Sequence, residues 1–111
     1  MNWIPLTSED QLAEIADRSQ DKPQLIFKHS TRCSTSSMVL SRMERANAPE
    51  TIDFYLLDLI LYRSLSARVA DTFKVSHESP QILLISKGAC TYDESHMGIS
   101  MVDICKQAGI V

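Results

Sequence analysis

Apolar residues recur along the chain with two different periods, and these periods predict which segments form helices and which form strands. Segments with apolar positions every three or four residues predict amphipathic helices. These segments cover residues 8–19, 33–47, 65–73 and 100–109. Short and almost continuous apolar runs predict buried strands at residues 24–29, 52–59 and 82–85, and Trp3 with Ile4 predicts a further edge strand.

The order of these elements predicts an α/β fold. The first helices and strands alternate, which favours parallel strands that are joined by crossover helices. Lys87 and Gly88 are a two-residue hairpin signal after the strand at 82–85. A last strand at residues 89–94 is therefore expected to pair with that strand in the antiparallel direction.

The ends of two helices carry capping residues. Ser8 followed by Gln11 has the spacing of a capping box at the start of the first helix. Ser100 followed by Asp103 predicts the same arrangement at the start of the last helix, and Gly109 is expected to end that helix.

The composition indicates how many domains the chain forms and which kinds of partner it is expected to bind. The chain has 111 residues, of which 44% are hydrophobic and 23% charged, so we expect one globular domain over residues 1–111. A net charge of -3 with scattered Lys and Arg argues against a nucleic-acid partner, because phosphate binding needs a concentrated basic face. The sequence shows neither a signal peptide nor the ~20 apolar residues of a membrane helix, so we expect a cytoplasmic protein without a membrane partner.

Three cysteines are present, and their spacing is not that of a metal site. Cys105 falls on the apolar stripe of the last helix, where a small buried thiol is expected. Cys90 would share a strand face with Tyr92 and Glu94, and a structural role is favoured there. The alternative for Cys90 is a distant resolving cysteine, which would have to bring its Cα within about 7 Å of that of Cys33.

Cys33 differs from the other two because polar residues flank it and because it lies where a buried strand passes into a helix. The first N–H groups of a helix are unpaired and favour a thiolate, and Arg32 and Lys28 add positive charge nearby. Ser36, one helical turn further on, is expected to donate its hydroxyl to the thiolate, to cap the helix, or to do both. His29 is the nearest histidine that could modulate the thiol.

Two levels of resemblance follow from these motifs. A strand that leads into C-x-x-S at a helix start, followed by a strand, a helix, a Ser79-Pro80 turn, a hairpin and a last helix, resembles the thioredoxin fold over essentially the whole chain. The runs IFKHSTRC at 26–33, Asp58-Leu59 and HESPQ at 77–81 resemble the small monothiol bacilliredoxin-like proteins of the bacillithiol system. The resemblance implies a thioredoxin-like mixed sheet of four to five strands flanked by about four helices.

The same resemblance implies roles for individual residues. Cys33 would be the nucleophile, with Ser36 at the position of a resolving cysteine. The implied substrate-binding residues are Arg32, Ser34, Ser79 and Pro80. The Ser79–Pro80 bond is expected to be cis, whereas the residues alone leave cis and trans open. The Cys33 and Pro80 loops are expected to face each other across the substrate groove.

Two positions depart from the family pattern. The family usually has proline directly after the cysteine, and Ser34 stands there instead. A serine in the first helical turn serves nearly as well, so the nucleophile is retained. Thioredoxins carry an acid on the preceding strand where this chain has Phe27, so no buried carboxylate can shuttle a proton from that position.

The C-x-x-S motif implies a monothiol mechanism, in which a thiol from outside the protein releases Cys33 from its mixed disulfide. We therefore expect a reductase of mixed disulfides between client proteins and a low-molecular-weight thiol. Bacillithiol would be the co-substrate, with carboxylates bound by Arg32 and Lys28, and no cofactor would be tightly bound. Two alternatives are an iron–sulfur module like the monothiol glutaredoxins and a redox-inactive interaction domain.

Overall fold

The computed structural model describes residues 1–110, and its elements follow the order that the sequence pattern predicts. The strands are β1 (Trp3–Pro5), β2 (Gln24–His29), β3 (Asp53–Asp58), β4 (Gln81–Ser86) and β5 (Ala89–Ser95). The helices are α1 (Asp10–Arg18), α2 (Ser34–Arg45), α3 (Arg63–Phe73) and α4 (Met101–Gln107), with a 3-10 turn at His96–Gly98. Over residues 1–110, these helices are too short or too polar to cross a membrane.

β2 is the central strand of one mixed sheet with the order β1-β3-β2-β4-β5. β3 runs parallel to both β1 and β2, whereas β4 is antiparallel to β2 and to β5. α2 connects the parallel pair, and a turn at Lys87 and Gly88, with φ of 53° and 81°, connects the antiparallel one. The predicted α/β architecture of four to five strands and about four helices is confirmed.

Helices cover both faces of the sheet, because successive side chains of a strand point to opposite faces. In β2, Ile26 packs on the side of α1 and α3, whereas Leu25 and Phe27 pack on the side of α2 and α4. The helix residues buried on the first side are Leu12, Ile15, Leu65, Val69 and Phe73. Those buried on the second side are Val39, Met43, Met101 and Ile104. The four-residue spacing along α3 therefore identified its buried stripe.

The first helix begins at Asp10, later than predicted. The side chain of Gln11 accepts the backbone N–H groups of Thr7 and Ser8, at 2.7 and 3.1 Å. The Ser8 hydroxyl makes no capping bond in return. Only half of the predicted capping box forms, so residues 7 and 8 lie before the helix.

The other predicted helix ends agree more closely with the structure. α2 ends slightly before residue 47, because the backbone of Ala46 is extended. The Ser100 hydroxyl caps α4 by accepting the N–H of Asp103 at 3.5 Å, and Gly109 follows that helix with φ of 79°.

The predicted common face of Cys90, Tyr92 and Glu94 is wrong. A β-bulge shifts the pairing of β4 and β5, so that Leu84 is opposite Tyr92 and Ile85 is opposite Cys90. A bulge inserts one residue and breaks the two-residue alternation of faces. Cys90 therefore packs with the core beside α1 and α3, and Tyr92 with the core beside α2 and α4.

Lys28 is a fully buried lysine in the central strand, with 0% of its surface exposed. Its Nζ lies 3.3 Å from Nδ1 of His77, and no carboxylate pairs with it among residues 1–110. Burial lowers the pKa of Lys28 from 10.5 to about 8, because the ammonium loses its hydration. A direct contact between Lys28 and a substrate carboxylate, which the sequence suggested, is excluded by this burial.

We expect the substitution Lys28→Met to raise the free energy of unfolding at pH 7 by up to about 3 kcal/mol. The native lysine binds fewer protons in the folded than in the unfolded state between pH 8 and pH 10.5. The buried charge of Lys28 therefore lowers the free energy of unfolding of the native chain below pH 8. This loss of stability disappears as the pH rises toward 10.5. Urea unfolding of both proteins from pH 7 to pH 9.5 measures the difference.

The substitution Lys106→Met is the matched control, because it removes one positive charge from an exposed lysine. The advantage of Lys28→Met over the native chain should shrink as the pH rises. A Lys28→Met protein that is less stable than the native chain at pH 7, or a difference that is independent of pH, would contradict the assignment of a costly buried charge.

Candidate active site

Cys33 is the N-cap residue of α2 and lies in the turn that follows β2. Its backbone is extended, with φ of -113° and ψ of 119°, and its side chain is half-buried. Its N–H donates to the carbonyl of Ser30 at 3.2 Å, and its carbonyl accepts the N–H of Ser37 at 3.1 Å. No hydrogen bond holds the sulfur within the described part of the chain. The turn thus fixes the backbone and leaves the thiol free to react.

The electrostatic setting of Cys33 favours an anion. The first N–H groups of a helix have no acceptor within it, and α2 has 12 residues and no acidic residue in its first turn. Arg32 is exposed beside the cysteine, and its N–H donates to the Ser30 hydroxyl at 3.4 Å. Ser34, the first residue of α2, is exposed as well. Arg32 and Ser34 therefore present their side chains to solvent on either side of the thiol.

Ser36 is fully buried and connects the end of β2 to the first turn of α2. Its oxygen accepts the N–H of Ser30 at 3.0 Å and lies 2.7 Å from Nδ1 of His29. Burial lowers the pKa of His29, although the charges of Asp58 and Glu44 oppose this shift. In the neutral tautomer that carries its proton on Nε2, His29 accepts through Nδ1, and the Ser36 hydroxyl donates to that ring nitrogen.

The hydrogen bonds of the Ser36 hydroxyl are with His29 and Ser30, at the end of β2. A serine has a single proton to donate, and in this tautomer the imidazole accepts it. The role of Ser36 as a donor to the thiolate stays a prediction. The observed role is to hold the strand end and the helix start together, and His29 is a member of this arrangement.

The second loop of the site contains Ser79 and Pro80, whose peptide bond is cis. Gln81 holds this loop, because its Nε2 donates to the carbonyl of Ser76 at 3.0 Å and its Oε1 accepts the N–H of Glu78 at 3.3 Å. Pro80 is buried. The Ser79 hydroxyl is buried too and has no hydrogen-bond partner within residues 1–110.

The two loops lie at the same end of the sheet. β4 begins at Gln81 directly opposite Lys28, one residue before the end of β2, so the Pro80 loop adjoins the strand that leads to Cys33. The carbonyl of Pro80 also accepts the N–H of His96 at 2.9 Å, which attaches the 3-10 turn to this end. The four predicted substrate-binding residues therefore lie on loops at the same end of the sheet.

The other two cysteines lie elsewhere. Ile85, which is opposite Cys90, pairs with Gln24 at the start of β2, whereas Cys33 follows the end of that strand. The length of β2, roughly 3.3 Å per residue over six residues, separates the two positions. Cys105 packs against the core beside α2 and α4. Burial raises the pKa of both thiols.

Sequence reasoning did not connect Lys28 with His77 and Ser66. The His77 Nδ1 lies 3.3 Å from the Lys28 ammonium and 3.4 Å from the Ser66 hydroxyl. These three residues are far apart in the sequence, so no spacing indicates their contact. Three or more metal-ligating side chains do not converge at any point in the described part of the chain.

Comparison with solved structures places the fold among thioredoxins. A thioredoxin-fold protein that is provisionally named an oxidoreductase matches with a TM-score of 0.78 and 27% identity, over 94% of this chain and 91% of its own. A thioredoxin from Malassezia sympodialis has a TM-score of 0.73 at 16% identity, over 96% and 91% of the two chains. A thioredoxin from Trypanosoma brucei brucei has a TM-score of 0.72 at 14% identity, over 96% and 87%. The predicted thioredoxin-like fold is confirmed.

The family model described as monothiol bacilliredoxin BrxC matches residues 4–104 of this chain. The match includes Cys33, Ser36 and the cis-proline loop. Together with the thioredoxin-fold neighbours, it supports a thiol redox function. The chain belongs to the monothiol bacilliredoxin BrxC family.

Proposed function

We propose that this protein is a monothiol thiol-disulfide reductase, in which Cys33 removes a low-molecular-weight thiol, bacillithiol, from mixed disulfides with client proteins. The observation that carries the proposal is the half-buried Cys33 at the start of α2, beside a buried serine at the position of a resolving cysteine. The family match supports the class of thiol, because bacilliredoxins are named for it.

The first step is an exchange between thiolate and disulfide. The Cys33 thiolate attacks the bacillithiol sulfur of the mixed disulfide, a bond forms between these two sulfurs, and the client leaves as a thiolate that takes up a proton. The bond between the client and bacillithiol breaks in the same step. The client is reduced, and Cys33 becomes half of a new mixed disulfide.

The second step needs a thiol from outside the protein. A second bacillithiol thiolate attacks the bacillithiol sulfur that is bound to Cys33, which releases bacillithiol disulfide and restores the Cys33 thiolate. Ser36 carries no sulfur, and Cys90 lies at the far end of β2, beyond the reach of a disulfide. In each turnover the incoming bacillithiol thiol is oxidised and the client sulfur is reduced, while the bacillithiol that arrives with the client stays at the disulfide level.

The Ser79 backbone is suited to bind the chain of a client. Neither its N–H nor its carbonyl takes part in a hydrogen bond within residues 1–110. An extended client segment can pair with such free groups as an added strand does. Arg32 and Ser34 are exposed next to Cys33 in the chain, where they can contact the bacillithiol group.

Replacing the nucleophile tests the first step. We expect Cys33→Ser to form no adduct with bacillithiol disulfide, because a serine hydroxyl does not carry out this exchange. The native chain should gain one bacillithiol. Intact-mass analysis after incubation measures both results.

Cys90→Ala and Cys105→Ala are the matched controls. Each removes a cysteine whose pKa is raised by burial, so that its thiolate is disfavoured. Both should keep the single adduct. A Cys33→Ser protein that still carries bacillithiol would sink the assignment of the nucleophile.

Introducing a resolving cysteine tests the monothiol step. We expect Ser36→Cys to convert the adduct into an internal disulfide between residues 33 and 36, because the new thiol lies one helical turn from the first. Intact mass would then show the loss of one whole bacillithiol molecule from the adduct without added thiol, which leaves the variant two hydrogen atoms lighter than its fully reduced form.

Ser36→Ala is the control for losing the hydrogen bonds of Ser36 with His29 and Ser30. This variant should retain the adduct until bacillithiol is added. An adduct that persists equally in Ser36→Cys and Ser36→Ala would show that position 36 is not a resolving position.

A further inference from the structure

A small pocket lies beside the proposed active site, on the α3 side of the sheet. Its volume is about 300 Å³ and it is lined by Leu59, Arg63, Ser66, Ala67 and His77. The N–H of Leu59 donates to the carbonyl of His29 at 3.0 Å, so the pocket adjoins the end of the strand that leads to Cys33. His77 also lies in the loop that carries Ser79 and Pro80. The pocket therefore lies next to both halves of the site.

The buried lysine lies directly behind this pocket. The Lys28 ammonium donates to Nδ1 of His77, which leaves Nε2 as the ring nitrogen that carries a proton. Burial, followed by the Lys28 charge, lowers the pKa of His77, while Glu78 opposes the shift. His77 is thus a neutral N–H donor at the pocket, with a positive charge behind it.

The charges around the pocket are predominantly positive. Arg63 lines it and forms no salt bridge within residues 1–110. None of its lining residues is acidic. Of the nearest acids, Glu78 points toward His96, at 3.9 Å, and the Asp58 carboxylate accepts the N–H groups of residues 60 and 61 at 3.0 and 3.2 Å.

We propose that this pocket binds a carboxylate of the small thiol or disulfide that reacts with Cys33, through the Arg63 guanidinium and the His77 N–H, with the Lys28 charge behind them. This inference rests on the proposed function, because it names the subsite for the anionic part of that substrate. It also replaces direct binding by Lys28, which is fully buried.

The physical reason is the uncompensated charge of Lys28. A buried ammonium without a carboxylate partner costs several kcal/mol, and an anion nearby offsets part of that cost. A carboxylate in the pocket would accept a charge-assisted hydrogen bond from Arg63 and a neutral one from His77. Lys28 attracts the carboxylate through its electrostatic field, and this attraction weakens with distance. Because the charge is buried, salt weakens the attraction less than it weakens that of an exposed charge.

The test compares two disulfides of similar chemistry and different charge. The probes are 3,3′-dithiodipropionate, which carries two carboxylates, and bis(2-hydroxyethyl) disulfide, which is neutral. The rate constant for loss of the Cys33 thiol is measured for each probe at pH 7 and low ionic strength. The ratio of the anionic to the neutral rate constant cancels differences in the nucleophile itself.

We expect Arg63→Gln to lower this ratio about threefold to tenfold, because one charge-assisted hydrogen bond is lost. Lys28→Met should lower it about twofold through the loss of the buried charge. Arg68→Gln is the matched control, because Arg68 is on the same helix but pairs with Glu9 at 3.4 Å, away from the pocket. The Arg68→Gln protein should keep the native ratio.

Several results would overturn the inference. An unchanged ratio in Arg63→Gln, or an equal loss in Arg63→Gln and Arg68→Gln, would show that only general surface charge acts. A loss confined to Arg32→Gln would place the carboxylate at the Cys33 turn instead. Failure of the native Cys33 to react with either probe would overturn the proposed function, which is a different result from an unchanged ratio.

Discussion

The position of the reactive thiol depends on the hydrogen bonds of one buried hydroxyl. Ser36 joins His29 and the N–H of Ser30, at the end of the central strand, to the first turn of α2. Cys33 lies on the turn between these two attachment points. Leu25 and Phe27 of β2 pack in the same hydrophobic core as the buried face of α2, and the Ser36 contact fixes how the strand leads into the helix. Ser36, which we propose stands at the position of a resolving cysteine, thus also positions Cys33.

Local patterns predicted most of the fold. The α3 stripe of Leu65, Val69 and Phe73 and the hairpin at Lys87-Gly88 are correct, because helix faces and tight turns follow from residues close in sequence. The β5 bulge was missed, since nothing in the sequence near Cys90 indicates an inserted residue. The motif led to the Cys33 turn and to the cis-proline loop, and the structure places both at one end of the sheet.

The contacts of buried Lys28 with Ser66 and His77 could not be predicted in the same way. A lysine in an apolar run is expected at a strand end with its charge in water, since lysine is rarely buried. Its burial depends on how α3 and the loop before β4 cover that end of the sheet, which brings Ser66 and His77 to Lys28. Such contacts arise only from tertiary packing. They add a positively charged pocket to a site that the sequence describes only as a cysteine with polar neighbours.

The proposed mechanism requires that Cys33 alone reacts and that a second thiol molecule from outside the protein releases it. The most direct measurement mixes the native protein with an excess of a bacillithiol-modified client in the absence of free thiol, and follows client thiol and protein mass together. We expect release of one client thiol per protein, accumulation of the Cys33 adduct, and continued turnover only after bacillithiol is added. Continued turnover without free thiol, or an adduct on another cysteine, would contradict this mechanism.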